Sequence, residues 1–368
     1  MNKLSLHPPG NVATDLVTFG EVMAAFKPVN NDRVEFANQF NLCFGGGEFN
    51  VAYGLASTFG LRSAHVTSFV DTPLARNVFR QMRSGGVDLT HTKWLEYDGI
   101  GQGARLGLNF TENGSGLRGA VAVVDRGHTA ASLIQPGDFD WNKIFGEAGA
   151  RWYHTGGIAA ALSATTAQTV IESFKAARAH GVVTSYDLNY RASLWKRHGG
   201  AARAKKVNRE IMPYVDVLFG NEEDLTAALG YKVEGLGEHC DNVDTAAFRQ
   251  TIGKVREDFP NLQVVATTLR TVHSATINDW GAIMYFDGDF HEATMRKGLE
   301  IFDRVGGGDS FCSGVIYGFL EGRSPKECVE LGAAHGALVS TTPGDTSKAT
   351  RSEVEALAKG SSSARVVR

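Results

Sequence analysis

The chain has 368 residues, with 37 Lys and Arg against 40 Asp and Glu and a formal charge of −3, so a polyanion binder driven by bulk charge is excluded. Hydrophobic residues make up 43% and charged residues 21%, ordinary globular usage that rules out disorder for most of the chain. No apolar run approaches the ~20 residues of a membrane span, and the start MNKLSLHPPGNVATD lacks the apolar core of a signal peptide. A cytoplasmic protein with no membrane and no nucleic-acid partner is therefore expected. The four cysteines, at 43, 240, 312 and 328, have no paired spacing, which speaks against a disulfide framework or a zinc cluster.

Residues 1–14 read as a disordered N-terminal arm. Beyond them, Val17–Phe26 predicts a strand, Glu48–Phe59 a helix rich in small residues, Ala64–Val70 a strand and Leu74–Ser84 a helix. The rhythm is then interrupted: residues 92–126 hold three strand-like runs, TKWLEYD, RLGLNFTE and AVAVVDR, with no helix between them, which predicts an antiparallel patch. Alternation resumes with Trp152–His154 (strand), Thr165–His180 (helix), Val182–Asp187 (strand), Ala201–Met212 (helix), Val215–Phe219 (strand), Asp224–Leu229 and Thr245–Phe259 (helices) and Leu262–Thr268 (strand). Asp287-Gly288, between IMYF and DFHEA, predicts a hairpin within 276–292. Such alternation builds right-handed βαβ units. The expected fold is therefore α/β, a doubly wound and mostly parallel sheet over residues 15–358, with a small inserted β-sheet lid formed by about 22–45 and 92–128. Residues 359–368 are expected to be a flexible tail.

Glycine is over-represented, 43 of 368 residues, and its placement carries the chemistry. A formal G-x-G-x-x-G at Gly114, Gly116 and Gly119 precedes a strand-like run rather than a helix, so it reads as a loop between lid strands and not as a dinucleotide site. A P-loop is absent. By contrast Gly306-Gly307-Gly308-Asp309 leads directly into the helical stretch SFCSGVIYGFL, where unpaired backbone N–H groups and the positive helix end would converge into an anion hole. The bland alternative is a flexible turn with Asp309 as N-cap. Ser313, Gly314 and Gly318 are small, which predicts a close buried approach of that helix to the sheet. A second cluster, Gly45-Gly46-Gly47, also enters a helix, and Asn50 one turn inside it carries an amide that can donate to and accept from a sugar hydroxyl.

Together these two motifs resemble the two signatures of the PfkB (ribokinase-like) family of carbohydrate kinases, and the similarity spans about residues 15–355. Asn221-Glu222-Glu223-Asp224 is similar to the family's N-x-x-E element, implied to act on Mg2+ and phosphate through water, with either Glu223 or Asp224 in the acidic role; Asn221 as a plain helix cap is the alternative. Asp187-Leu-Asn189-Tyr-Arg191-Ala-Ser-Leu-Trp resembles the segment typical of 2-keto-3-deoxygluconate kinases, and Asp125-Arg126 lies in a segment similar to that group's arginine-bearing one. Asn109 and Val124 stand where familiar members carry tyrosines. Leu269-Arg270-Thr271 stands where the family commonly has T-x-G.

The resemblance implies a ribokinase-like fold and transfer of phosphate from ATP with Mg2+. Asp309 would be the base, and Gly306, Gly307 and Gly308 would stabilise the transferring phosphoryl group. Gly46, Gly47, Asn50 and Asn109 would bind the sugar. Arg126 and Arg191 would grip a carboxylate, since a guanidinium pairs with one through two hydrogen bonds; pairing of Arg191 with Asp187 or Asp125 as scaffolding is the alternative. Asn189, Asn221, Glu223, Asp224, Thr268 and Arg270 fall to the nucleotide side. No direct protein ligand to the metal is expected, Mg2+ being held through ATP and water. The implied partner is a small sugar or sugar acid. The lid strands, with edges and an apolar side to hide, predict a homo-oligomer, dimer or higher, joined through the lid. A kinase of a neutral sugar such as fructose or of another keto sugar acid, and a non-catalytic sugar-acid binder, are the rival readings.

Overall fold

The structure, a computed structural model, describes residues 4–231 and 245–361. Its strands are β1 (Thr14–Phe19), β2 (Met23–Pro28), β3 (Phe40–Gly45), β4 (Ser63–Val70), β5 (Thr92–Leu95), β6 (Leu108–Glu112) and β7 (Val121–Asp125). In the second half follow β8 (Ala150–Gly156), β9 (Val183–Asp187), β10 (Val217–Phe219), β11 (Val264–Val272), β12 (Ile277–Phe286), β13 (Asp289–Glu292) and β14 (Arg296–Glu300). The large sheet runs β13-β12-β11-β10-β9-β8-β1-β4-β5, with β14 also on β12. It is parallel from β11 to β5 and antiparallel at the β12 end. The small sheet runs β3-β2-β6-β7 and forms the lid.

Burial follows from the layers. Every residue of β4 is buried, the pattern of a central parallel strand covered on both faces. Along β8 the consecutive residues Trp152 and Tyr153 enter opposite apolar clusters, because neighbouring side chains leave a strand on opposite sides. The helices are fixed at their starts by local capping: Ser163, Ser324 and Thr350 each accept from the backbone N–H three residues on and receive a hydrogen bond in return. No helix among the described residues is long and apolar enough to cross a membrane.

Four expectations change. The run Val17–Phe26 is two strands, β1 in the large sheet and β2 in the lid, broken at Gly20-Glu21-Val22; its apolar pattern is continuous because both strands are buried. TKWLEYD does not join the lid patch, since β5 pairs in parallel with β4 at the edge of the large sheet. The helix Gly307–Leu320 makes its closest approach to a helix and not to the sheet. Cβ atoms added at Gly314 and Gly318 would stand 2.7 Å from Leu331 O and 2.8 Å from Cys328 Sγ, both on the helix Pro325–Val339. Residues 4–14 are not a disordered arm: Leu4 and Leu6 pack on the core, the His7 ring nitrogen bonds His180 O at 2.9 Å, and Arg151 donates to His7 O at 3.0 Å. The hairpin forms as read, with Asp287 and Gly288 both at positive φ. Most of the expected tail, and Cys240, lie outside the described residues.

Candidate active site

A cavity of about 1380 Å3 opens at the carboxyl ends of β9, β10 and β11 and runs under the lid, where an open α/β sheet places its ligands. Every site residue named from the sequence lines it: Gly46, Gly47, Asn50, Asn109, Arg126, Asn189, Arg191, Asn221, Glu223, Asp224, Thr268, Arg270, Gly306, Gly307, Gly308 and Asp309. They converge although they come from seven separate stretches of chain.

Gly306 is the turn on which the site depends. Its φ is 83°, open to glycine and costly for other residues, and an added Cβ would lie 2.1 Å from Asp345 O. The helix therefore starts at Gly307 with Gly306 as its cap residue, and Asp309 is the third residue inside it with no capping bond. This removes the N-cap reading of Asp309. At Gly308 an added Cβ would meet nothing within 4 Å, so the space before the helix start is open cavity. The free N–H groups of the first turn face it.

Asp309 is oriented by Asn50, whose Nδ2 donates to Asp309 Oδ2 at 2.7 Å, while Gly46 N–H donates to Asn50 Oδ1 at 3.4 Å. The amide expected to hold a sugar hydroxyl is thus engaged in positioning the carboxylate. Burial pushes the Asp309 carboxyl up to about 6, against the Asn50 hydrogen bond and the Arg191 charge, which pull it down. Asp187 rises further, to about 8, through burial and the neighbouring Asp224 and Asp309. Glu48 is pushed up to about 7, chiefly by burial. A water-poor, acid-rich floor is what these shifts share.

The two arginines differ. Arg126 Nε stands 2.7 Å from Glu21 Oε2, and Glu21 is 2% exposed with no hydrogen bond to either oxygen. Arg191 is exposed, donates to Tyr190 O at 2.9 Å, and makes no ion pair with Asp187 or Asp125; the latter pairs with Arg105 at 2.7 Å. Asp224 is buried and accepts from Asn221 N–H at 3.0 Å and Tyr190 N–H at 2.8 Å. Asn221 in turn accepts from Asp224 N–H at 2.8 Å. The helix-capping reading of Asn221 is therefore realised, and Glu223 stands exposed at the rim. Asn109 accepts from Thr111 Oγ1 at 2.9 Å, directly across β6 and β7 from Val124. Among the described residues no group of three or more His, Cys, Asp or Glu side chains could hold a metal ion directly.

Glu21, Glu48 and Asp345 were not singled out from the sequence, yet all are buried beside the site. Each directly follows a glycine in an apolar or small-residue run, and that is the one signal that would have found them. The glycines themselves are explained by close packing: a Cβ on Gly46 would lie 1.8 Å from Glu21 O.

Residues 13–351 match the pfkB family of carbohydrate kinases. A solved 2-dehydro-3-deoxygluconokinase from Thermotoga maritima superposes with a TM-score of 0.86 at 37% identity, covering 94% of this chain and 100% of that one. A 2-dehydro-3-deoxygalactonokinase from Haloferax volcanii is 29% identical over 95% of this chain and 98% of its own length. The 2-dehydro-3-deoxygluconokinase of Thermoproteus tenax is 25% identical over 92% and 91%. With the family match running almost end to end and both glycine signatures meeting in one cavity, the chain belongs to the pfkB family of carbohydrate kinases.

Proposed function

We propose that the chain is an ATP-dependent kinase that phosphorylates the primary hydroxyl of 2-keto-3-deoxygluconate. The observation that carries this reading is the convergence, in one cavity, of Asp309, the Gly306–Gly308 turn and two arginines, of which Arg191 makes no ion pair among the described residues. A neutral sugar gives no reason for guanidinium groups over its site, whereas a sugar acid does. The relatives of this chain that act on 2-dehydro-3-deoxy sugar acids point the same way.

The residues fit a nucleotide triphosphate. A methyl group on Gly308 would project into open cavity, so only glycine leaves the helix-start amides bare for phosphate oxygens. Asp187 and Asp224, whose carboxyls are raised by burial first and by neighbouring acids second, suit a cation held at one water's remove. Bound ATP supplies the γ-phosphoryl group, and its Mg2+ screens the phosphate charge.

The remaining steps belong to the chain. Arg191 and Arg126 hold the acid's carboxylate, and Asn109, Gly46 and Gly47 line the hydroxyl side. Asp309, kept in place by Asn50, accepts the proton of the primary hydroxyl as that oxygen attacks phosphorus. Its carboxyl at about 6 leaves it ionised at neutral pH yet more basic than an exposed aspartate. The amides of Gly306–Gly308 stabilise charge gathering on the transferred group. Asp224, Glu223, Asn189, Asn221, Thr268 and Arg270 border the nucleotide side. The lid excludes water that would otherwise accept the phosphoryl group.

The test is ADP release with purified protein over 2-keto-3-deoxygluconate, its galactonate epimer, fructose and gluconate. Highest kcat/KM on 2-keto-3-deoxygluconate is expected, and fructose matching it would overturn the reading. The identity to the Haloferax relative favours the galactonate epimer as second substrate. We further propose a homo-oligomer through the lid, where Val121 and Val123 on β7 are 45% and 54% exposed beside an unpaired strand edge.

A further inference from the structure

Three charged side chains that the mechanism does not use lie buried behind the anion cradle. Lys27, near the end of lid strand β2, is 6% exposed, Asp303 is 1% and Asp345 is 5%. The Lys27 ammonium forms an ion pair with Asp303 Oδ2 and stands 2.8 Å from Asp345 Oδ1.

The two carboxylates are not equivalent. Asp303 has backbone partners of its own, accepting from Val305 N–H at 3.1 Å and Gly344 N–H at 3.1 Å. Asp345 accepts no backbone N–H or hydroxyl hydrogen bond among the described residues, and the partner of its Oδ1 is the Lys27 ammonium. Asp345 is also the residue nearest the chemistry. Its backbone carbonyl abuts Gly306, its side chain abuts Gly45, and it lines the cavity. An isolated charge there is costly to bury and would oppose any anion at the helix start. A lysine supplied by the lid sheet cancels it.

We propose that Lys27 is a positioning residue for phosphoryl transfer, its ammonium neutralising Asp345 behind the Gly306–Gly308 cradle so that the cradle can accept phosphate. The inference rests on the kinase reading above and adds a residue outside both glycine signatures. A buried positive charge lost beside an anion site weakens anion binding far more than it weakens a neutral contact. The effect should therefore fall on the polyphosphate at the cradle, while the sugar acid's carboxylate keeps its own guanidinium partners, Arg126 and Arg191.

The experiment compares the parent with Lys27→Met and with Lys27→Met/Asp345→Asn, which restores the parental net charge of the cluster. ATP affinity is measured by calorimetry in the presence of Mg2+, alongside KM for ATP and for the sugar acid and thermal melting. The single variant is expected to lose on the order of tenfold in ATP affinity, with the KM for sugar acid within about twofold of the parent. The double variant should recover ATP affinity to within about threefold, and it should do so even if the single variant does not fold. An unchanged ATP affinity in a folded Lys27→Met protein would overturn the proposal. So would a double variant that is unfolded or as weak as the single, since Lys27 would then be a structural strut. A parent that binds ATP yet phosphorylates none of the sugar acids would remove the substrate reading and leave this one standing.

Discussion

Replacing Asp309 by Asn separates catalysis from stability in opposite directions. The substitution is nearly isosteric, and the amide oxygen can still accept from Asn50 Nδ2, which now donates to Asp309 Oδ2 at 2.7 Å. Loss of a general base lowers turnover by ~10²- to 10⁴-fold. The stability sign follows from the carboxyl, raised from 3.8 to about 6 mainly by burial. A raised acid binds its proton more tightly in the folded state, so its contribution is most favourable below pH ~4 and is lost as pH rises through about 6. A rise of that size corresponds to on the order of 3 kcal/mol for a fully buried group, and about half of that is reasonable for the half-buried Asp309. Asparagine carries no such cost. At pH 8 the variant should melt at or above the parent, while at pH 5 the difference should shrink. Coupled ADP release and melting curves at both values check this, together with loss of the rise in kcat/KM through pH ~6. Turnover within threefold of the parent, or a variant several degrees less stable at pH 8, would refute the assignment.

The arginines should part company. Arg126→Met and Arg191→Met are each expected to cost the sugar acid ~2 to 5 kcal/mol in kcat/KM and fructose much less. Only Arg126→Met should also lower the melting temperature, because it strands the buried Glu21 carboxylate; equal losses on both sugars would reassign the pair to phosphate or scaffold. Gly306→Ala should be poorly folded, its Cβ pressed to 2.1 Å from Asp345 O at a φ of 83°, whereas Gly308→Ala should melt like the parent but bind ATP at least ~10-fold more weakly by calorimetry. Val123→Glu in the exposed lid strand should halve the light-scattering mass of the parent oligomer, and a parent that already scatters as one chain would remove the lid interface.

The site was legible in the sequence wherever chemistry demanded a local pattern. Three glycines entering a helix can be read without coordinates, because amide exposure is a property of a few consecutive residues, and so both clusters and the D-L-N-Y-R segment were found. What escaped depended on distance along the chain. Lys27 lies 276 residues from Asp303, and nothing near Lys27 in MAAFKP distinguishes it from a surface lysine. Glu21 looked like the middle of a strand, because a buried carboxylate with an arginine from another hairpin leaves no local trace. The fold was legible as α/β from its alternation. The placement of β5 was not, since a short half-exposed strand carries the same periodicity in a lid as at a sheet edge.

The charges around the cavity divide by how they are matched. Lys27 and Arg126 each have buried acids as fixed partners, Asp303 with Asp345 and Glu21 respectively. Each holds its place without a ligand, and each belongs to the lid sheet or its border. Arg191 donates to the carbonyl of Tyr190 and makes no ion pair among the described residues. An exposed guanidinium without an acid partner loses little hydration when it waits and gains a strong partner when a carboxylate arrives. The acids on the floor face the reverse situation: Asp187 is raised by burial and by the neighbouring Asp224 and Asp309, and Asp224 by burial and by Glu223, so a cation near them lowers the energy of both. A sugar acid's carboxylate at one end of the cavity and the metal-bound polyphosphate of ATP at the other would relieve both imbalances at once. That pairing of opposite deficits across one cavity explains why the chain tolerates several buried acids at the ends of its strands.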